Sequence, residues 1–226
     1  MRLKLNIKFI IAFVSLRFVM HELHELVHTA VGRLICGCWG QRDFNSWQLC
    51  EGCMEEHPLA LLSVFAGPLF TFTMLWIGVS FLKASNTNQQ KALGFALIFA
   101  NNPFARIFTA AMGSGDEVSG LRTLLHNHTM AWVAGLLIVL LLTAFPLYKA
   151  FTIISNKKRL GYFLFFLLVP MLLDLVIVFG LMNTLLKNNI LSNYWILGSP
   201  LLITLFTALV TIVFIATRKH IYSLAD

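Results

Sequence analysis

The sequence predicts an all-α polytopic membrane protein. Three observations predict it: hydrophobic residues make up 58% of the 226, charged residues only 12%, and the mean hydropathy is +0.78, a balance that soluble globular domains do not reach. Crossing a hydrocarbon layer of ~30 Å takes about 20 apolar residues as helix. The chain offers six such stretches, at 9–36, 58–82, 92–113, 130–152, 161–186 and 194–217. None alternates with period two, and each is far longer than a barrel strand, which argues against a transmembrane β-barrel. Residues 1–226 read as a single membrane domain with no separate soluble unit.

The first stretch follows Arg2, Lys4 and Lys8, as the apolar part of a signal peptide would. It is too long for that and lacks a small-residue cleavage site, so it reads as a membrane helix. Basic residues then set the orientation. Eleven of them (Arg2, Lys4, Lys8, Lys83, Lys91, Lys149, Lys157, Lys158, Arg159, Arg218, Lys219) fall on one side, and four (Arg33, Arg42, Arg122, Lys187) on the other. The positive-inside rule puts both termini in the cytoplasm. The net charge of +7 follows mostly from that bias and calls for no nucleic-acid partner.

Six ionisable residues do not belong in lipid: Arg17, Glu22, Glu25, Arg106, Asp174 and, at a helix end, Asp116. Each costs about 3 kcal/mol or more at mid-bilayer, so each should face the bundle interior with a partner or a task. For Arg17, Arg106 and Asp174 an ion pair between helices is one such role. Asp174, midway along the fifth span, falls roughly level with Arg17.

Residues 21–28 read HELHELVH, and His24 to His28 within them form HExxH. On a helix, positions i and i+4 lie about 6 Å apart on one face, so two imidazoles converge on one metal ion while Glu25 reaches its water. His21 shares the stripe, but His21 to His28 spans about 10 Å of rise, too far for one ion. It reads as a supporting residue. Glu22 has no histidine in the matching register, so Glu25 alone reads as the general base.

Catalytic zinc usually takes three protein ligands. His24 lies about 22 Å and His28 about 28 Å along a helix entering near Phe9, which puts the metal in the outer half of the membrane. Asp116, in MGSGDE, lies at a comparable depth beyond the third span. Gly113 and Gly115 allow the backbone to unwind there. Asp116 is the first choice of third ligand and Glu117 the second; Asp174 reads as too deep, and His126 and His128 as a solvated loop. Gly67-Pro68, inside the second span, either breaks a helix or permits close backbone approach, as protein lining a water-filled cavity would.

These residues resemble the site-2 protease family of intramembrane zinc metalloproteases. HELVH, 24–28, lies in the first long apolar helix, and AGPLFT, 66–71, is similar to the family's AGPLxN segment, with Thr71 in place of Asn. NNP, 101–103, followed by Asp116, is similar to the segment carrying the family's third zinc ligand. Here Glu117 rather than glycine follows the aspartate, and 12 residues separate Pro103 from Asp116. The resemblance covers 9–117 and implies a three-helix catalytic core there. Residues 118–226 would then supply additional helices that gate the site or bind partners. It further implies Zn(2+) held by His24, His28 and Asp116, Glu25 as the catalytic residue, and Asn102 in substrate binding.

Cys36, Cys38, Cys50 and Cys53 bracket an aromatic-rich loop after the first helix. CxC with CxxC suits either a second, structural zinc or two disulfides, and an outward-facing loop favours disulfides. The loop is expected to be reentrant or β-like, and its free edge could pair with an extended substrate strand. The expectation is therefore a zinc endopeptidase cutting a membrane-anchored protein near the outer leaflet. The rival expectations are a metal-dependent lipid hydrolase, a di-iron lipid oxidase, which one compact histidine box serves poorly, or a non-catalytic metal-binding scaffold or transporter.

Overall fold

The computed structural model describes residues 1–225. Its longest helix, α1 (Ile7–Cys36), starts at Asn6, whose side chain accepts from the Phe9 amide, and ends at Gly37 with φ +77°. A short helix α2 (Cys53–Glu56) and a 3-10 turn (Pro58–Leu61) lead into α3 (Leu62–Phe81). Next come α4 (Asn88–Ala100), α5 (Pro103–Ala111), α6 (Asp116–Leu125) and α7 (His128–Ile153). The helix α8 (Arg159–Leu173) continues through a π-helical segment (Asp174–Met182) into α9 (Asn183–Lys187). The last long helix, α10 (Leu201–Thr217), closes in a 3-10 segment (Arg218–Leu224).

Among the described residues there are no strands, and four helical stretches are long and apolar enough to cross a membrane: Pro58–Phe81, His128–Ile153, Arg159–Lys187 and Leu201–Leu224. They mark a membrane-embedded protein. The expectation of six uniform spans needs three corrections. The first stretch forms a 30-residue helix, long enough to cross, but Lys8, Arg17, Glu22, Glu25 and Arg33 make it too polar to do so without companions.

The expected span 92–113 is two helices. Pro103 lacks an amide hydrogen and disfavours helical geometry at the residue before it, and Asn102 sits there at φ +48°, its side chain capping α5. The expected span 194–217 begins as a loop, because Pro200 precedes the first helical residue, Leu201.

Packing centres on Phe166 of α8, fully buried, whose ring contacts those of Phe9, Phe13, Phe95 and Phe99 at centroid distances of 4.9–5.9 Å. That aromatic cluster joins α1, α4 and α8. Both chain ends meet on one face: the Lys4 amide donates to the Leu224 carbonyl at 2.8 Å, and the N-terminal ammonium to the Ile153 carbonyl at 2.8 Å.

Helices α3 and α4 cross at two glycines. A Cβ on Gly94 would stand 2.5 Å from the Gly78 carbonyl oxygen and 2.7 Å from the Phe81 Cβ, which is backbone-to-backbone contact that only glycine allows. Small residues are how membrane helices approach this closely. Gly94→Val should overpack this crossing and cost about 1–3 kcal/mol, read as a lower thermal midpoint of the detergent-solubilised protein against wild type.

Candidate metal centre

Helix α1 presents His24 and His28 one turn apart, with their Nε2 atoms 3.2 Å from each other and the rings nearly perpendicular at 81°. Asp116, the first residue of α6, brings Oδ2 to 3.2 Å from His24 Nε2 and 3.6 Å from His28 Nε2. Tetrahedral zinc with ligands at about 2.0–2.2 Å separates its donors by roughly 3.3–3.6 Å, so these three atoms are spaced as one ion requires. The trio is also the group of ligand-type side chains that could hold a metal ion among the described residues.

The outer hydrogen bonds suit the same purpose. His28 Nδ1 lies 2.6 Å from the Ser63 carbonyl, which can only accept, so Nδ1 carries the proton and Nε2 presents its lone pair inward. His24 Nδ1 lies 2.8 Å from the Thr71 hydroxyl, which holds the ring in place and can serve as donor or acceptor there. Partners of this kind orient the ligands in metal sites. Thr71 is thus a supporting contact of His24.

Gly67 explains why α3 can lie so close. A Cβ there would stand 2.2 Å from His28 Nε2 and 2.8 Å from His24 Cε1. Of the two readings of Gly67-Pro68, close approach is the one realised: α3 runs through Pro68 from Leu62 to Phe81 without a break.

Asp116 is aimed by the turn before it, where Gly113 and Gly115 adopt φ +71° and +87°, the left-handed region that glycine tolerates. Its Oδ2 also accepts from Arg106 at 3.0 Å. Glu117, the second choice as ligand, is instead 2.7 Å from Arg106 and away from the imidazoles. Arg106 therefore offsets two carboxylates and holds Asp116 in place.

Glu25, 7% exposed, lines a cavity of about 390 Å³ together with His24, Asp116, Asn102, Arg106 and Trp47. The size suits a short peptide segment or a small molecule. Asn102 reaches this cavity, and its amide donates to Asp174 at 2.8 Å. Arg17 of α1 and Asp174 of the π-helical segment form an ion pair between helices. His21 Nε2 donates to the Phe44 carbonyl, 2.7 Å away, as a supporting residue. His126 and His128 are exposed on the far end of α6 and the start of α7.

The four cysteines form nested disulfides, Cys36–Cys53 and Cys38–Cys50, and so leave no thiolate for a second zinc. The loop they tie down is β-like only at one bridge, Arg42 to Trp47, with no strand. It seats the Trp47 indole on the His28 ring, stacked at 4.5 Å. Arg42 anchors it, pairing with Glu22 at 3.1 Å and donating to Ser199 at 2.7 Å, while Thr207 of α10 donates to Glu22 at 2.8 Å. At its outer edge the Tyr194 hydroxyl donates to Asp43 at 3.1 Å. Burial and that carboxylate raise the phenol's pKa, so it stays a donor.

Trp47, Arg42, Ser63 and Arg106 as a clamp on Asp116 were not read from the sequence as parts of the site. A buried Glu22 with no catalytic role did signal that some cation must meet it. Comparisons with protein-family models, with curated proteins and with solved structures find no match to this chain.

Gly67→Ala is expected to displace the His28 ring and abolish tight metal binding. Gly78→Ala, at the α3–α4 crossing, perturbs the same helix without touching the histidines. Metal content by elemental analysis should separate the two, with loss only in Gly67→Ala.

Proposed function

We propose that the chain is a zinc-dependent intramembrane endopeptidase of the site-2 protease type, acting on membrane-anchored proteins. The observation that carries this reading is the convergence of His24, His28 and Asp116 beside Glu25 in a cavity within an apolar helical protein. A metal scaffold or transporter needs ligands but no general base next to them. A lipid hydrolase would need the same base, and its substrate separates it in the test below.

His24, His28 and Asp116 would hold the zinc. When bound, zinc supplies Lewis acidity, making water easier to deprotonate and the scissile carbonyl easier to attack. Glu25 takes the proton from the attacking water on its carboxylate and passes it to the leaving amine. Thr71 and the Ser63 carbonyl keep both imidazoles turned inward. Arg106 keeps Asp116 ionised and aimed. The loop carrying Trp47 shields one side of the site from water, and the nested disulfides hold it there.

Orientation belongs to the same reading. The termini meet on one face, the face with eleven of the basic residues, which supports placing them in the cytoplasm. The disulfides then lie on the opposite, oxidising side, and cleavage occurs near the outer leaflet. The helices after residue 117 cover α1 and α3 and would control access.

Glu25→Gln should lower cleavage of a single-span peptide in vesicles by at least about 10²-fold, as removal of a general base does, while zinc content stays at the wild-type level. Unchanged cleavage would rule out this mechanism. Release of fatty acid from the vesicles without peptide cleavage would favour the lipid hydrolase.

A further inference from the structure

Away from the metal centre, a groove of about 480 Å³ runs along α3 where it meets α7, two of the helices apolar enough to cross a membrane. Leu69, Phe72, Trp76 and Ile77 of α3 and Leu142 of α7 form its walls. It is open to the outside, with Leu69 69% and Trp76 42% exposed. Its two hydroxyls turn back onto their own helix: Thr73 donates to the Leu69 carbonyl and Ser80 to the Ile77 carbonyl, each at 2.7 Å. The groove is therefore apolar along its length.

One wall is fixed by a proline. Pro146, inside α7, has no amide hydrogen to give the carbonyl four residues before it, which belongs to Leu142. The Trp76 indole donates to that carbonyl instead, at 3.2 Å. Held there, Trp76 stacks on Phe145 at 5.5 Å, and the Lys149 ammonium stands over the Phe145 ring at 5.4 Å. Lys149 thus marks the end of the groove nearer the chain termini, since the N-terminal ammonium meets the carbonyl of Ile153, the last residue of α7.

Helices α3 and α7 run in the same direction here, with Leu69 lining a small cavity beside Ile138 and Trp76 stacking on Phe145. Lys83, exposed just past the end of α3, is therefore at the same end as Lys149, which is also exposed. Neither helix, nor the loop after α3, contains an Asp or Glu. The anion that suits these two lysines is an external one.

From Leu69 to Ser80 the helix rises ~16 Å at 1.5 Å per residue. That is about half of the ~30 Å hydrocarbon layer, so the groove is one leaflet deep. A partner helix suits it poorly, because membrane helices approach through small residues and these walls are Leu, Phe, Trp and Ile.

We propose that the groove binds a phospholipid with a net-negative headgroup, from the leaflet on the side of the chain termini. One acyl chain lies along α3, and the headgroup phosphate sits between Lys83 and Lys149. At 3.6 residues per turn, the groove residues fall on the side of α3 opposite Gly67 and Thr71, so the lipid braces from behind the helix that contacts the histidines. The binding does not depend on the endopeptidase reading.

The test reads Trp76 fluorescence. Full-length wild type and Trp76→Phe are placed in phosphatidylcholine vesicles containing a small fraction of brominated phosphatidylglycerol or brominated phosphatidylcholine. Quenching present in wild type and absent in Trp76→Phe is the groove signal. Phosphatidylglycerol should bind about tenfold more tightly than phosphatidylcholine, as two lysines beside an anionic headgroup allow.

That ratio should fall to about one in Lys83→Gln/Lys149→Gln. It should stay near its wild-type value in Lys157→Gln/Lys158→Gln, a control at two exposed lysines in the loop after α7. Equal quenching by both lipids in wild type would overturn the site and leave the groove to whatever lipid surrounds it. An equal loss in the two lysine pairs would also overturn it, assigning the preference to the overall charge of that face.

Discussion

The absence of a side chain at Gly67 is the constraint on which the rest of the site depends. The imidazoles of α1 occupy the space that a Cβ would fill, 2.2 Å from His28 Nε2. That contact sets the separation of α1 and α3, brings the Ser63 carbonyl and Thr71 hydroxyl to the outer nitrogens of the two rings, and turns their inner nitrogens toward Asp116. A larger residue would separate the helices and with them the three candidate ligands.

The other polar groups follow from placing such a site among apolar helices. Each charge taken out of water needs an opposite charge beside it, and the structure meets this with three local groups: Arg17 with Asp174, Arg42 with Glu22, and Arg106 with Asp116 and Glu117. The first joins α1 to the segment following α8, the second fastens the disulfide loop to α1, and the third braces α5 against α6. The same pairs that make these charges tolerable thus hold together the elements around the cavity.

The sequence made some of this legible and hid the rest for physical reasons. His24, His28 and Glu25 are fixed relative to one another by helical spacing, and Asp116 by its depth, so their convergence could be anticipated. Arg17 and Asp174 could be matched by depth as well. The break at Asn102 was signalled by the proline after it, but hydropathy averaged across 92–113 conceals a break between two apolar helices. The Arg42–Glu22 pair and the stacking of Trp47 on His28 depend on how a loop folds back over a helix, which no local pattern encodes. Four cysteines permit three pairings, and only the three-dimensional path of the loop selects Cys36–Cys53 with Cys38–Cys50.

The central claim is that three side chains from α1 and α6 hold one catalytic metal. Zinc content per chain, measured by elemental analysis on detergent-purified wild type, His24→Ala, Asp116→Ala and Glu117→Gln, tests it most directly. The account predicts about one zinc per chain in wild type and Glu117→Gln, as a single three-ligand site requires, and little in the other two. A wild type free of zinc, or zinc that persists without His24 and Asp116, would contradict it and leave the histidine stripe of α1 as a polar packing surface.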